Sequence, residues 1–174
     1  MPLPLDDPRW SELTTAYRMP SGDVLDWLRE AYAEGMTSES LGDLINEVQH
    51  QGDSSQAMYA LVPHLIELAI TAEASIAHDM AIHAGMIHVT ASTLGEIPCP
   101  EFLREDFDAS ASKIRDFLLS SFPAAPSFDD LKYCFAALAG VVGHARFGRL
   151  IDGFDFHEGL FHHASLDEPF AEDA

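Results

Sequence analysis

Positive charge is what this chain has least of. Across 174 residues, nine lysines and arginines stand against 29 aspartates and glutamates, a formal charge of −20. A globule of this mass exposes roughly 8,400 Å², so the excess charge is dense. Such a surface repels phosphate backbones and anionic lipid headgroups, which excludes nucleic-acid and membrane partners. It attracts a basic protein and speeds that encounter. Cysteine is equally sparse. Cys99 and Cys134 make no disulfide framework, and a reducing, cytoplasmic setting is expected. The longest uncharged stretches, Met80–Gly95 and Tyr133–Ala145, are too short to span a membrane and carry His83, His88 and His144. Met1-Pro2-Leu3-Pro4-Leu5-Asp6-Asp7 lacks the basic start and apolar run of a signal peptide. Period-two alternation is missing, so strand content near zero is expected.

What is present is a helical pattern. A hydrophobic fraction of 47 % with 10 % aromatics is ample for the core of one domain. Asp7-Pro8 opens a first predicted helix striped by Trp10, Leu13 and Tyr17 and ended by Met19-Pro20-Ser21-Gly22. A second runs from about Asp23 to Glu34, with Leu25, Leu28 and Tyr32 on one side and Gly35 as its cap. The pairs Ala16-Tyr17 and Ala31-Tyr32 hint at a repeated unit. Ser38 starts a third helix, carrying Leu41, Leu44, Ile45 and Val48. Asp53-Ser54-Ser55 is read as the cap of a fourth, which Pro63 should kink or end early. A fifth, from about Ala74 to Leu94, is apolar on most sides and therefore central. The sixth spans about Glu101–Ser120. The seventh begins at a Ser127–Asp130 capping box and stripes Leu131, Phe135, Leu138 and Val142 toward a core. A short eighth lies near Phe147–Asp152.

The expected class is all-α with seven or eight helices. Antiparallel pairs at a spacing of about 40 residues suit a short HEAT-like α-solenoid; a globular helical bundle is the alternative. Residues 1–164 form a single domain in this reading, and 165–174, with four acids and no base, a flexible acidic tail.

The chemistry-bearing residues are fewer. His78, His83 and His88 recur every five residues, about 140° apart around a helix, so successive rings face different ways and suit structural roles rather than a metal. His157, His162 and His163 are the better cluster for a metal-dependent or histidine-based hydrolase, the less favoured class. Phosphate loops, dinucleotide fingerprints and HExxH are absent, and Ser54, Ser55 and Ser92 lack a nucleophile elbow. No metal and no cofactor is expected.

The acidic ridges are more informative. Asp23, Asp26, Glu30 and Glu34 edge the second predicted helix, and Glu39, Asp43 and Glu47 fall at i, i+4, i+8 on the third. Like charges at that spacing cost each helix a few tenths of a kcal/mol per pair. Arg29 is the one nearby base. These residues, with Trp27 as an aromatic anchor and His50 and Asp53 at the following turn, are the candidate contacts for a basic protein partner. An acidic scaffold whose charge serves solubility is a third reading.

The run from Leu44 to Leu65 resembles a group of uncharacterised bacterial helical proteins with an HQG…A.YAA.PHL signature. His50, Gln51, Gly52, Ala57, Tyr59, Ala60, Pro63, His64 and Leu65 carry the match. Trp10 and the segment from Trp27 to Tyr32 look like that group too. The resemblance implies a HEAT-like helical repeat. Some of those relatives look like immunity proteins encoded beside polymorphic toxins, which implies a toxin-neutralising role.

Overall fold

A computed structural model of the chain describes residues 1–50, 54–93, 97–122, 127–155 and 160–161. The Asp7-Pro8 start is where the sequence places it: the Asp7 carboxylate accepts the Arg9 N–H at 2.9 Å and Pro8 takes the first position. The helix that follows is corrected to a single 3-10 turn, Pro8–Glu12. Its backbone groups find other partners. Ala16 N–H reaches the Glu47 carbonyl (2.8 Å), the Thr14 carbonyl accepts from Ala57 (3.1 Å), and Thr15 N–H closes on Met19 (2.8 Å). Arg18 takes φ 60° in that turn. Tyr17 is therefore outside any helix, and 45 % exposed.

Seven α-helices follow among the described residues: α1 Gly22–Glu34, α2 Ser38–Val48, α3 Ala57–Ala69, α4 Ala74–Thr93, α5 Glu101–Ser120, α6 Phe128–Val141 and α7 Ala145–Asp152. Gly35 ends α1 at φ 95°, a conformation open to glycine at little cost. Thr37 and Ser40 exchange capping bonds at the start of α2, and Ser127 and Asp130 do so at the start of α6. After α7, β1 (Phe154–Asp155) pairs antiparallel with β2 (Leu160–Phe161). All-α describes the chain. Residues 165–174 and the cluster His157, His162 and His163 lie outside the described residues.

Two expectations about α3 are corrected. Its N-cap is Gln56, without a side-chain cap bond, and Ser55 is buried with its hydroxyl unpartnered. The helix also does not end early at Pro63 but continues to Ala69. Proline inside a helix costs about 3 kcal/mol, but every residue of α3 except Pro63 and Glu67 is buried. At about 1.5–3 kcal/mol for each large apolar side chain removed from water, packing overrides the missing N–H.

Helices two apart in sequence touch: α1 with α3 and α3 with α5, α2 with α4 and α4 with α6. Successive helices also touch, α1 with α2, α3 with α4, α4 with α5 and α5 with α6, and α7 packs on both α4 and α6. As its composition predicts, α4 is central; it touches α2, α3, α5, α6 and α7.

The core face of α6 is the largest surprise. Half of the expected stripe points outward, with Phe135 52 % and Val142 49 % exposed, while Leu131 and Leu138 are half-buried and Leu138 packs against the core. Cys134, Ala136, Ala137, Ala139 and Gly140 are buried instead. The reason is a close crossing of backbones. A Cβ on Gly85 of α4 would lie 2.6 Å from Ala137 Cβ, one on Gly140 2.6 Å from Val89, and one on Gly148 of α7 2.6 Å from the Ala136 carbonyl. Only small side chains fit at these crossings, so the bulky Phe135 is left on the solvent side, while Leu138 and Val141 reach the core from the flanks.

Gly85→Ala and Gly148→Ala should each lower stability by about 1–3 kcal/mol through overpacking, despite the roughly 1 kcal/mol gained in helix propensity. Gly42→Ala, on α2 with nothing within 4 Å of the added methyl, should raise it by about 0.5–1 kcal/mol. Urea midpoints of the three variants decide the matter: a gain at Gly85 like that at Gly42 would refute the close crossing.

Candidate functional site

The two acidic ridges sit on helices that touch each other. The inward sides of α1 and α2 are Val24, Leu28 and Ala31, and Leu41, Leu44 and Val48. Fixing those residues in the core turns the acids outward. Asp23, Asp26, Glu30, Glu34, Glu39 and Asp43 are all exposed, and Glu47 is half-buried. Arg29 bonds Asp26 at 3.0 Å and its second nitrogen donates to the Leu5 carbonyl. No other ion pair among the described residues involves a ridge carboxylate. Seven carboxylates therefore share one arginine. Trp27 is half-buried and packs against the core, at the edge of the α1 ridge rather than in it. Asp53 lies outside the described residues.

His50 is tied down by its neighbours. Asn46 Oδ1, which can only accept, lies 2.8 Å from Nδ1, so the proton resides there. The Tyr17 hydroxyl is 2.9 Å from the same nitrogen, the Asn46 amide donates to that hydroxyl at 3.1 Å, and the Tyr17 and His50 rings lie 4.8 Å apart. This network fastens the loop before α1 to the end of α2.

A second tyrosine–histidine pair lies deeper, with only a trace of it legible in the chain. Tyr17 pairs with a histidine 33 residues on; Tyr32 pairs with one 32 residues on, His64. The Ala-Tyr repeat is realised as two such pairs, not as two similar helices. His64 is buried against Trp10. Its Nε2 lies 3.0 Å from the Leu3 carbonyl and must donate, so Nδ1 accepts the Tyr32 hydroxyl, also at 3.0 Å. Both ring nitrogens are used. Burial pushes the imidazole down to about 4, and burial together with Glu67 pushes the Tyr32 phenol up to about 12. An open groove of about 400 Å³ runs between Met1–Leu5 and Tyr32, His64 and Glu67. His64 offers that groove no free nitrogen for general-base work.

Two histidines of α4, His88 and His78, reach α5 and its C-cap. Ser110 donates to the Phe107 carbonyl at 2.6 Å and so accepts from His88 Nε2 at 2.9 Å, while the His88 ring stacks on Phe107 at 4.0 Å. Burial lowers this imidazole to about 4 as well. His78 meets Ser121 at 3.3 Å. Among the described residues, no three His, Cys, Asp or Glu side chains converge as metal ligands would. No described helix is long and apolar enough to cross a membrane.

Gln51 and Gly52 of the Leu44–Leu65 signature lie outside the described residues, and most of the others serve the fold. Ala57, Tyr59, Ala60, His64 and Leu65 are buried, and the Tyr59 hydroxyl donates to the Ile97 carbonyl at 2.7 Å. No protein-family model matches the chain, and no curated protein or solved structure does.

His64 and His88 fold as neutral rings with depressed pKa values, so the unfolded chain binds more protons between pH 6.5 and 4. Their contribution is intact above pH 6.5 and is lost as pH falls toward 4. At pH 5 each should cost roughly 2 kcal/mol of stability relative to pH 7. Imidazole proton resonances should show both rings untitrated at pH 5. A midpoint for either above pH 6 would contradict the burial argument.

Proposed function

We propose that the chain is a protein-binding module that engages a basic protein through the carboxylates of α1 and α2. In its most concrete form it is an immunity protein, built as a short HEAT-like stack, that occludes the basic active-site cleft of a cognate toxin such as a nuclease. The observation that carries this reading is the exposed, unneutralised acid along two touching helices. A helix keeps like charges four residues apart at a cost in its own stability, and here α2 does so with no base of its own. The immunity form also leans on the resemblance of the His50–Leu65 run. Asp26, Glu30, Asp43 and Glu47 are the central contacts, with His50 at the margin.

The test takes the protein encoded beside this chain's gene as the binding probe. Converting Asp26, Glu30, Asp43 and Glu47 to lysine should slow association about tenfold or more at low salt, with most of that difference gone at high salt. Unchanged association by the fourfold variant, with its helicity intact, would refute the electrostatic mechanism.

A further inference from the structure

We infer that the outer face of α6 and α7 is a self-association surface, on which a second copy of this chain docks about a two-fold axis. Three observations lead there. The first is spacing. Leu131, Phe135, Leu138 and Val142 fall at i, i+4, i+7, i+11, the alternation of threes and fours by which two helices interlock along a seam. In this molecule Leu131 and Leu138 are half-buried, Leu138 against the core, while the other two positions stand out: Phe135 is 52 % and Val142 49 % exposed. Phe147 of α7, 58 % exposed, belongs to the same region. Ala136 and Gly148 touch where α6 and α7 cross, and Phe135 and Phe147 are the residues just before them.

The second is charge. On α6 and α7, Asp129, Asp130 and Asp152 are matched by Lys132, Arg146 and Arg149. These two helices are neutral, and the chain's entire −20 lies elsewhere. Two copies approaching through this face set neutral helices against each other and keep the acidic ridges of α1 and α2 out of the contact. Among the described residues no ion pair uses Lys132, Arg146 or Arg149; Lys132 lies over the Tyr133 ring at 5.0 Å, and Arg146 is exposed.

The third is area. Half of each of two phenylalanines exposes about 200 Å² of ring, already a quarter of the roughly 800 Å² that one partner contributes to a standard interface. The seam adds about 16 Å of helix length between Leu131 and Val142. A two-fold axis sets this stripe against itself, so a self-complementary seam is enough to close a dimer.

Sedimentation equilibrium or light scattering on the full chain tests this without any partner. The wild type should be a dimer at micromolar concentration. Phe135→Glu should weaken it about a hundredfold or more, while Ile70→Glu, a still more exposed apolar position just after α3, leaves it intact. Circular dichroism should find both variants as helical as wild type. Added salt should strengthen this dimer by screening the −20, whereas it weakens the ridge-mediated contact with a basic protein, so the two proposals fail separately. A wild-type monomer up to about 1 mM, or a Phe135→Glu variant that dimerises like wild type, would overturn the inference.

Discussion

The rest of the structure depends on how closely α4 lets α6 and α7 approach. Glycines at 85, 140 and 148 remove the side chains that would hold three backbones apart. Backbones that near make many short dispersion contacts over little side-chain area. The same geometry has a cost in coverage. A helix of 14 residues has a limited circumference, and when its inward arc is filled by alanine, cysteine and glycine, its larger residues have only the flanks and the outward arc left. The exposed seam of α6 is the other side of a tightly packed core, not a flaw in it.

That constraint explains where the sequence was legible and where it was not. Element existence read well because local chemistry decides it. Asp7-Pro8, Gly35 and the Ser127–Asp130 box each mark a terminus, and each stands where it was placed. What failed were decisions made by tertiary contacts. Hydrophobic periodicity assigns the inward side of a helix to its largest residues, and for α2 that rule selects Leu41, Leu44 and Val48 correctly. On α1 it finds Leu28 but takes half-buried Leu25 and exposed Tyr32 in place of Val24 and Ala31. For α6 it turns Phe135 and Val142 the wrong way, because volume and burial part company wherever backbones nearly touch. The segment after Glu12 carries a helical stripe, yet its N–H and C=O groups find partners on α2 and α3, which no local pattern encodes. Pro63 was overruled by the burial of nearly all of α3.

The candidate site was legible in the same partial way. The ridge carboxylates are exposed because the apolar positions between them are fixed inward, a conclusion periodicity reaches unaided. Trp27 was harder, since an aromatic on the flank of a stripe can go either way, and core packing holds it. The tyrosine–histidine pairs left a signal in the chain, two Ala-Tyr dipeptides, but the histidines that complete them are more than 30 residues downstream and only the fold joins them. These pairs also explain why so acidic a chain carries buried imidazoles. A neutral ring fills space like an aromatic and fastens two segments by hydrogen bonds, and it adds no charge to desolvate.

Cys134 extends the same logic into reactivity. It is wholly buried on the packed side of α6, and burial raises its thiol to about 11; half-buried Cys99 is held at a similar value. Alkylating agents and peroxides attack the thiolate, so the native fold renders both sulfurs sluggish. Cys134 becomes a reporter: its modification rate counts how often α6 lifts away from α4, and so clocks local opening without any probe having to be installed.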